Sequence, residues 1–341
     1  MMRDKKILVT GASGLLGAYL IQQLLHAGYT DVRAIRRPHS RLELLGDLAS
    51  RVSWVQADIL DIADLDDAMS GIDLVFHCAA LVSFDPRQRK ALMQVNVEGT
   101  ANVVNAALAA GVKQLIHVSS IAALGRNKDK QTIDEKAVWS RSNWNSDYGL
   151  SKYLAEREAW RGMGEGLQVA VVNPSMILGS GRWEEGTGHF FSLVWNKFPF
   201  FPAGATGFVD ARDVARFMVG VMEAQAFGKK YILNSENWDY HQFFAAIAAG
   251  LGKNPPRYRV NRVMRLVAIP FLYLLGRVSK KEVYLTPQTI RQSALKAAYD
   301  NSLSRSILNF EYTPVGETIA ATSVEFLKEK TGKGSAVLLP V

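Results

Sequence analysis

The segment KKILVTGASGLLGAYLIQQLLHAG, residues 5–28, is the most informative part of the sequence for predicting the fold. Its first part, up to Thr10, is a run of apolar, β-favouring residues typical of a buried strand. Gly11, Gly14 and Gly17 come next, and then apolar residues recur at helical spacing. Glycines between a strand and a helix allow a tight turn and a close approach of the backbone to a phosphate. The sequence therefore predicts an anion site at the amino end of the first helix, with a plain strand-to-helix turn as the alternative.

Strand and helix patterns alternate through the first two-thirds of the chain. Further strand patterns are DVRAI (31–35), RVSWVQAD (51–58), IDLVFHCAA (72–80), VKQLIHVSS (112–120) and LQVAVVNP (167–174). Such strands, apolar on both faces and separated by helices, indicate a parallel sheet covered on both sides. We therefore predict an α/β fold with a Rossmann-type doubly wound parallel sheet.

The alternation stops near residue 175, where a Gly-, Phe-, Trp- and Pro-rich stretch without a clear period begins. The remainder of the chain is predominantly helical in pattern and indicates a smaller C-terminal substrate domain. No flexible linker separates the two parts, so they should share an interface. The predicted boundaries are 1–175 for the dinucleotide-binding domain with 207–235 packing back on it, 176–206 and 236–330 for the mostly helical substrate-binding domain, and 331–341 for a tail.

Composition excludes several classes of protein. Hydrophobic residues make up 48% and charged residues 21% of the 341 residues, which is ordinary for a globular protein. The net charge is +8, but the basic residues are scattered and no zinc, helix-turn-helix or RNA-binding signature accompanies them. We therefore expect an anionic cofactor and no nucleic-acid partner. The one cysteine, Cys78, excludes an internal disulfide framework and a Cys-rich metal site, and no metal is expected.

The amino terminus, MMRDKKILVTG, runs straight into a strand pattern and has no apolar segment of signal-peptide type. A cytoplasmic protein is therefore expected. Residues 262–281 mix apolar residues with arginine and lysine. They indicate either a helix packed in the small domain or a contact with a membrane surface, and we expect the packed helix. The apolar run 266–275 is too short to span a bilayer and contains Pro270.

The end of the second strand is where a dinucleotide site contacts the adenosine ribose. An acid there accepts the 2′-hydroxyl of NAD, whereas an arginine favours the 2′-phosphate of NADP. Arg36 follows this strand, with Arg37 and Arg41 beyond it, and no acid stands at the expected position. The sequence thus predicts NADP (NADPH) as the preferred cofactor, with NAD remaining compatible and a solvated basic loop as the alternative. Asp58, at the end of the third strand, could accept from the adenine amino group or cap the following helix.

Residues 146–160, SDYGLSKYLAEREAW, place Tyr148 four residues ahead of Lys152 on a predicted helix. Positions i and i+4 are neighbours on a helix, so a phenol and an ammonium group should lie side by side. This spacing arises often by chance in ordinary surface pairs. The alternative is a general acid and the cation that activates it, and the remaining motifs bear on that choice.

Five motifs occur in order along the first 180 residues. They are TGASGLLG at 10–17, HCAA at 77–80, NVEGT at 96–100, VSS at 118–120 and YGLSK at 148–152. In combination they resemble the extended short-chain dehydrogenase/reductases, of the NAD-dependent epimerase/dehydratase superfamily. The C-terminal stretch from Leu285 to Ile319 resembles the dihydroflavonol-4-reductase-like and 3β-hydroxysteroid-dehydrogenase-like branch, though it is much less specific.

The resemblance implies an NAD(P)-dependent enzyme and a set of site residues. Ser120, Tyr148 and Lys152 match the catalytic serine, tyrosine and lysine of the family, and Asn96 matches an asparagine that is often mainly structural in extended members. The cofactor contacts expected on this basis are Gly11, Ser13, Gly14, Leu15, Leu16, Gly17, Arg36, Asp58, Ile59, Ala79, Ala80, Asn96, Tyr148, Lys152 and Pro174.

The chemistry agrees with this assignment. Hydride transfer to a carbonyl creates an alkoxide that needs a proton, and a free tyrosine with a pKa of about 10 is mostly protonated near neutral pH. A positive charge on Lys152 would lower that pKa, and the lysine can also bind the nicotinamide ribose. Ser120, at the end of the fifth strand, can hydrogen-bond the substrate oxygen as charge develops on it.

Three functional classes remain open. Reductases and nucleotide-sugar epimerases or dehydratases of this family use the same tyrosine and lysine. The strand end VVNPSMILG and the lack of a basic residue just before FVDARDVA favour a reductase of a bulky, mainly apolar aldehyde or ketone. Arg212, the nearest basic residue, could simply pair with a neighbour. A cofactor-binding sensor without turnover is disfavoured because both Tyr148 and Lys152 are present.

The substrate should be a small molecule, and a homodimer is left open. The predicted pocket residues are Phe84, Met176, Phe190, Phe191 and Trp195. Because aromatic residues are usually core, packing is the alternative for each of them. His189 adjoins this group, but a lone histidine is more often a hydrogen-bonded structural residue than a catalyst.

Overall fold

The computed structural model describes residues 3–125, 132–140, 145–261, 264, 287–334 and 337–341. The strands are Ile7–Thr10 (β1), Val32–Arg36 (β2), Ser53–Gln56 (β3), Leu74–His77 (β4), Gln114–Val118 (β5), Thr132–Ile133 (β6), Gln168–Pro174 (β7), Met176–Leu178 (β8), Phe200–Phe201 (β9), Ala205–Asp210 (β10), Lys230–Leu233 (β11), Glu236–Asp239 (β12), Tyr258–Arg259 (β13) and Ala298–Tyr299 (β14). The helices are Leu15–His26 (α1), Ile62–Met69 (α2), Arg89–Leu92 (α3), Gly99–Ala109 (α4), Asp147–Gly164 (α5), Gly188–Trp195 (α6), Ala211–Glu223 (α7), Tyr240–Gly250 (α8), Pro287–Gln292 (α9), Ser302–Leu308 (α10) and Val315–Lys330 (α11).

The central sheet confirms the predicted fold class. In the described part of the chain, seven strands pair in the order β11-β7-β5-β4-β1-β2-β3, and every pairing is parallel. The strand order reverses between β1 and β4. In open α/β sheets, ligands bind at the carboxyl ends of the strands beside such a reversal. The glycine loop after β1 and the HCAA motif after β4 both lie at this point.

Helices cover both faces of the sheet, because apolar side chains of the strands point to both faces and must be buried. On one face, α1 and α7 bury Leu20, Leu24, Val214 and Phe217 against it. On the other face, α2, α4 and α5 contribute a second core that includes Val103. The predicted return segment 207–235 therefore supplies both α7 and the edge strand β11 to this part of the protein.

The smaller part of the protein has its own core, and aromatic rings dominate it. The sheet β12-β10-β8 packs with α6, α8 and α11. Phe208 stacks on Phe243 with ring centroids 4.4 Å apart, and Trp183 meets Phe326 edge-on at 5.0 Å. Because β8 directly follows β7 and β10 leads directly into α7, this core is tied to the central sheet by short connections rather than by a linker.

Within the predicted tail 331–341, residues 337–341 do not lie apart from the rest of the protein. Leu338 and Leu339 are buried in the same core as α1 and α7. The backbone N–H of Leu339 donates to the hydroxyl of Tyr19 at 2.9 Å, and Arg212 donates to the carbonyl oxygen of Pro340 at 3.2 Å. An isolated pair of leucines is too short to show a period, which is why the sequence pattern did not indicate this return.

Among the described residues, no helix is both long enough and apolar enough to cross a membrane. The 262–281 stretch, for which a packed helix was expected, lies outside the described residues apart from Met264.

Candidate active site

The loop after β1 has the geometry of a phosphate cradle. Gly11 has a φ of +67°, and a Cβ there would lie 2.6 Å from the backbone nitrogen of Ala79. A Cβ on Gly17 would lie 2.2 Å from the carbonyl oxygen of Gly11. Gly14 is the N-cap of α1, and no side chain caps that helix end within the described residues. The loop thus leaves the positive end of α1 accessible to an anion, as a dinucleotide pyrophosphate requires.

The other predicted cofactor contacts surround this loop. Ala79 follows β4, and its N–H donates to the Thr10 hydroxyl at 3.1 Å. Ile59 follows β3 and packs against Gly99 at the start of α4. Pro174 ends β7 and is buried. Ser13, Leu15 and Leu16 are half-buried, and Ala80 is exposed. These positions share the carboxyl edge of the sheet, so the residues present fit a bound dinucleotide.

Arg36 ends β2, and Arg37 follows it. Neither forms an ion pair with any residue that the structure describes, so both positive charges are open to an anionic ligand. The prediction that Asp58 could cap the following helix is wrong. Asp61 is the residue that caps α2, and it accepts from the N–H groups of Ala63 and Asp64. Asp58 instead accepts from the N–H of Leu60 at 3.0 Å and stabilises the turn beyond β3.

Arg182 is a residue of this region that the sequence reasoning missed. Its guanidinium donates to the carbonyl oxygens of Ser13 at 3.2 Å and Arg41 at 2.9 Å. It thereby joins the glycine loop to the basic loop after β2. Arg41 pairs in turn with Glu185 at 2.7 Å. Both contacts of Arg182 span more than a hundred positions of sequence, so no local pattern could have indicated them.

The structure brings Ser120, Tyr148 and Lys152 together. Ser120 follows β5 and is the N-cap of a short 3₁₀ turn, where its hydroxyl oxygen accepts from the N–H of Ala122 at 3.1 Å. The Ser120 hydroxyl also lies close enough to the Tyr148 phenol to lower the pKa of that phenol. Lys152 lies one turn along α5 and donates to the carbonyl oxygen of Val118 at 2.7 Å. The arrangement can bind a carbonyl oxygen and supply it with a proton.

The electrostatics of these groups follow from burial. Burial raises the pKa of the Tyr148 phenol, while the neighbouring Ser120 hydroxyl opposes that rise. The Lys152 side chain is only 2% exposed, and burial lowers the pKa of its ammonium to about 8, opposed by Cys78 and Glu156. The same desolvation lowers the pKa of His77 to about 3. Near neutral pH, His77 is therefore uncharged and Lys152 is the cation of the site.

Asn96 has a positioning role in this structure. It lies in a π-helical turn, Met93–Glu98, which interrupts the helix between α3 and α4. Its amide oxygen accepts from the N–H of Leu81 at 2.7 Å, and its amide nitrogen donates to the Leu81 carbonyl and the Ser151 hydroxyl. Asn96 thereby ties the loop after β4 to α5 at Ser151, which is three residues beyond Tyr148.

A second missed group lies behind the catalytic set. Glu156 is 5% exposed, and it accepts from the Ser119 hydroxyl at 3.0 Å and from the Asn173 amide at 3.1 Å. Asn173 also donates to the carbonyl oxygen of Ser120 at 3.0 Å. A signal existed for both residues. Asn173 interrupts an apolar strand pattern, and Glu156 stands one turn beyond Lys152, on the same face of the helix.

The predicted pocket residues lie in three different environments. Phe84 packs edge-on against Tyr148 with ring centroids 5.6 Å apart, so it lies at the site. Phe191 is 1% exposed and packs between Trp183 and Phe326, so its role here is packing. The remaining three residues are half-buried at the edge of the small-domain core: Met176, Phe190 and Trp195.

Arg212 forms an ion pair with Asp210, the residue that caps the amino end of the same helix. Its guanidinium donates to the carboxylate of Asp210, with a shortest distance of 2.7 Å, and Asp210 is buried. Asp210 also accepts from the Thr318 hydroxyl at 2.8 Å. Arg212 therefore pairs with a neighbour, as its position at the start of the helix allowed. No group of three metal-ligating side chains occurs in the residues that the structure describes.

The comparisons with known proteins agree with this geometry. The model of the NAD dependent epimerase/dehydratase family matches residues 7–234. The chain is 30% identical over 323 residues to a putative dihydroflavonol 4-reductase from Synechocystis sp., covering 92% of each protein. It is 30% identical over 243 residues to cinnamoyl-CoA reductase 1 from Petunia hybrida, covering 66% of this chain and 71% of that one. The crystal structure of gox2253 superposes with a TM-score of 0.82 at 27% identity, covering 97% of this chain and 100% of the other.

Proposed function

The chain belongs to the NAD-dependent epimerase/dehydratase family and is thereby an NAD(P)-dependent enzyme, and from that premise we propose that it is an NADPH-dependent reductase of a bulky, mainly apolar aldehyde or ketone. The observation that carries the proposal is the pairing of Arg212 with buried Asp210, together with the Phe84 ring beside Tyr148. A sugar-nucleotide diphosphate needs a free cation in its pocket, because an unpaired buried charge is costly. An apolar carbonyl compound gains about 25 cal/mol for each Å² of apolar surface that it buries.

The catalytic residues act on the carbonyl oxygen. When bound, the nicotinamide cofactor supplies the hydride to the carbonyl carbon. Tyr148 donates its phenolic proton to the carbonyl oxygen, so that the product is an alcohol and the tyrosine becomes a phenolate. Ser120 lies beside the Tyr148 phenol, and its hydroxyl stabilises the charge that develops on the carbonyl oxygen. The Lys152 ammonium favours the phenolate and is anchored by Val118.

The preference for NADPH rests on Arg36. It ends β2 without an ion-pair partner among the described residues, beside a loop that the Arg182 guanidinium joins to the glycine loop. A 2′-phosphate carries charge that a guanidinium binds in a planar, bidentate way. Substrate class has independent support from the relatives named as reductases, which are named for dihydroflavonol and cinnamoyl-CoA.

The test is a substrate panel. Purified protein is assayed with NADPH and with NADH against aromatic and aliphatic aldehydes and ketones, and against UDP-sugars. We expect oxidation of NADPH with at least one bulky apolar carbonyl compound. Micromolar binding of UDP or a UDP-sugar to the cofactor-loaded protein, with no carbonyl compound reduced, would instead assign the chain to the epimerases.

A further inference from the structure

We propose that Glu156 is a positioning residue for this chemistry, which holds the Ser120 segment against α5 and, through its ion pair with Lys230, sets the charge beside Lys152. The inference rests on the proposed function, because it assigns Ser120 and Lys152 their roles in proton transfer. It adds a carboxylate that none of the sequence motifs contains.

Glu156 lies on the same side of α5 as the catalytic residues. It follows Lys152 by one helical turn and Tyr148 by two, so the three side chains share one side of the helix. That side faces the carboxyl ends of β5 and β7, and only 5% of Glu156 is exposed. A carboxylate removed from water to this extent is tolerated only where partners satisfy it.

Four side chains satisfy the Glu156 carboxylate. One oxygen accepts from the Ser119 hydroxyl and from the Asn173 amide, at 3.0 and 3.1 Å. The other accepts from the indole N–H of Trp160 at 3.3 Å and lies 3.5 Å from the ammonium of Lys230. The carboxylate thus joins α5 to the ends of β5 and β7 and to the edge strand β11.

These partners connect Glu156 to the reacting groups. The Asn173 amide nitrogen that donates to Glu156 also donates to the carbonyl oxygen of Ser120. Ser119 bonds to Glu156 through its hydroxyl and to Val172 through its N–H at 2.7 Å. The catalytic serine and the residue before it are therefore both fixed relative to the helix that carries Tyr148.

The charge of Glu156 also acts on Lys152. Besides Tyr148, the titratable groups coupled to Lys152 include His77 on β4, His117 on β5, Cys78 after β4 and Glu156 on α5. Burial lowers the pKa of both histidines, so they are neutral near pH 7. Burial also lowers the pKa of Lys152, and the negative charge of Glu156 opposes that change. Glu156 therefore helps to keep Lys152 protonated at the pH at which Tyr148 must act.

The test uses charge-neutralising variants. Glu156→Gln keeps the shape and one acceptor oxygen but removes the charge, so the ammonium of Lys152 loses a favourable partner and its pKa falls. We expect the alkaline limb of the kcat profile to move to lower pH by roughly one unit, with KM for NADPH within about threefold of the parent value. Lys230→Met removes the cation that offsets the negative charge of Glu156, so the pKa of Lys152 should rise. The alkaline limb of the kcat profile should then move to higher pH.

Matched controls separate this effect from a general one. Glu158→Gln removes a charge on the same helix that pairs with Arg161, and Lys229→Met removes the exposed ammonium next to Lys230. Neither control variant should shift the alkaline limb of the kcat profile. Unchanged limbs in both Glu156→Gln and Lys230→Met would overturn the proposal, as would shifts of equal size in the control variants.

The pKa of Lys152 can be measured without enzyme turnover. This measurement tests the role of Glu156 separately from the proposed reductase reaction. The Lys152 ammonium is titrated by heteronuclear NMR in labelled protein, with Lys152→Met used to assign the signal. We expect its pKa to fall in Glu156→Gln and to rise in Lys230→Met. If no carbonyl compound is reduced but these shifts occur, the reaction class is wrong and the role of Glu156 stands. If reduction occurs and Lys152 titrates identically in all variants, the role of Glu156 is wrong.

Discussion

Tyr148 is the proton donor of the proposed reaction, and removing one oxygen atom isolates that step. Tyr148→Phe keeps the ring that packs against Phe84. General acid catalysis contributes about 10²- to 10⁴-fold, so we expect kcat to fall by at least about 10²-fold. NADPH affinity, measured by fluorescence titration, should stay within a few-fold. Tyr153→Phe, on the same helix and stacked on Trp139, is the control, and a near-normal rate in Tyr148→Phe would refute the assignment.

Arg36 tests the choice of cofactor. Arg36→Asp replaces a guanidinium with a carboxylate that repels a 2′-phosphate and accepts from a 2′-hydroxyl. A charged hydrogen bond contributes about 1.5–3 kcal/mol, so NADPH affinity should fall by about 10- to 100-fold, whereas NADH affinity should fall far less. Titration calorimetry measures both. Arg51→Asp, an exposed charge reversal just before β3, should change neither, and equal affinity of the parent protein for the two cofactors would contradict the role of Arg36.

Individual site residues differed in how far the sequence could indicate them. Tyr148 and Lys152 are four residues apart on one helix, so local spacing was enough to predict that they lie together. Glu156 and Asn173 meet only because α5 packs across β7. Arg182 reaches Ser13 from the small domain. Contacts of this kind depend on the packing of distant elements, and a single sequence carries no period that reports them.

The conformation of the loop after β1 predicts that Gly11 cannot be replaced by alanine without loss of stability. Gly11→Ala introduces a Cβ 2.6 Å from the Ala79 backbone at a φ of +67°. Gly111→Ala is a matched control, since its φ is +72° and no atom lies within 4 Å of its Cβ position. The control should lose about 1–2 kcal/mol of unfolding free energy from backbone strain alone.

The Gly11 variant must also displace the backbone, so we expect a larger loss of stability and a loss of NADPH affinity of about 10-fold or more. Urea denaturation and cofactor titration give the two quantities. Equal stability losses in the two variants, with NADPH binding intact in Gly11→Ala, would show that the Ala79 backbone does not pack closely against Gly11.

The secondary structure shows which elements a sequence pattern can define. Strands β1 to β5 and β7 of the central sheet coincide with strand patterns in the sequence, and their alternation with helices was predicted. The helical segment that contains α3 and α4 is divided by the π turn at Met93–Glu98. That turn is tied to Asn96, whose side chain is bonded to Leu81 and Ser151. A helical period cannot indicate such an insertion, because its partners lie in other segments.

The two parts of the protein are joined at several points of the central sheet. The chain leaves the sheet after β7, builds the small-domain strands β8 and β10, and returns through α7 and β11. Residues 337–341 then return to α1 and α7. The carboxyl end of the chain is thus part of the core that supports the glycine loop, which predicts that a substitution there lowers the stability of the dinucleotide-binding part.

Leu339 tests that prediction. It is 2% exposed among the side chains of α1 and α7, and truncation of a buried leucine costs about 2–5 kcal/mol. Leu339→Ala keeps the backbone N–H that donates to Tyr19, so the loss measured by urea denaturation reports packing alone. Val341→Ala, at a side chain that is 48% exposed, should change the unfolding free energy by less than about 0.5 kcal/mol. Equal, small changes in both variants would mean that the last residues do not dock, because a free segment contributes nothing to the unfolding free energy.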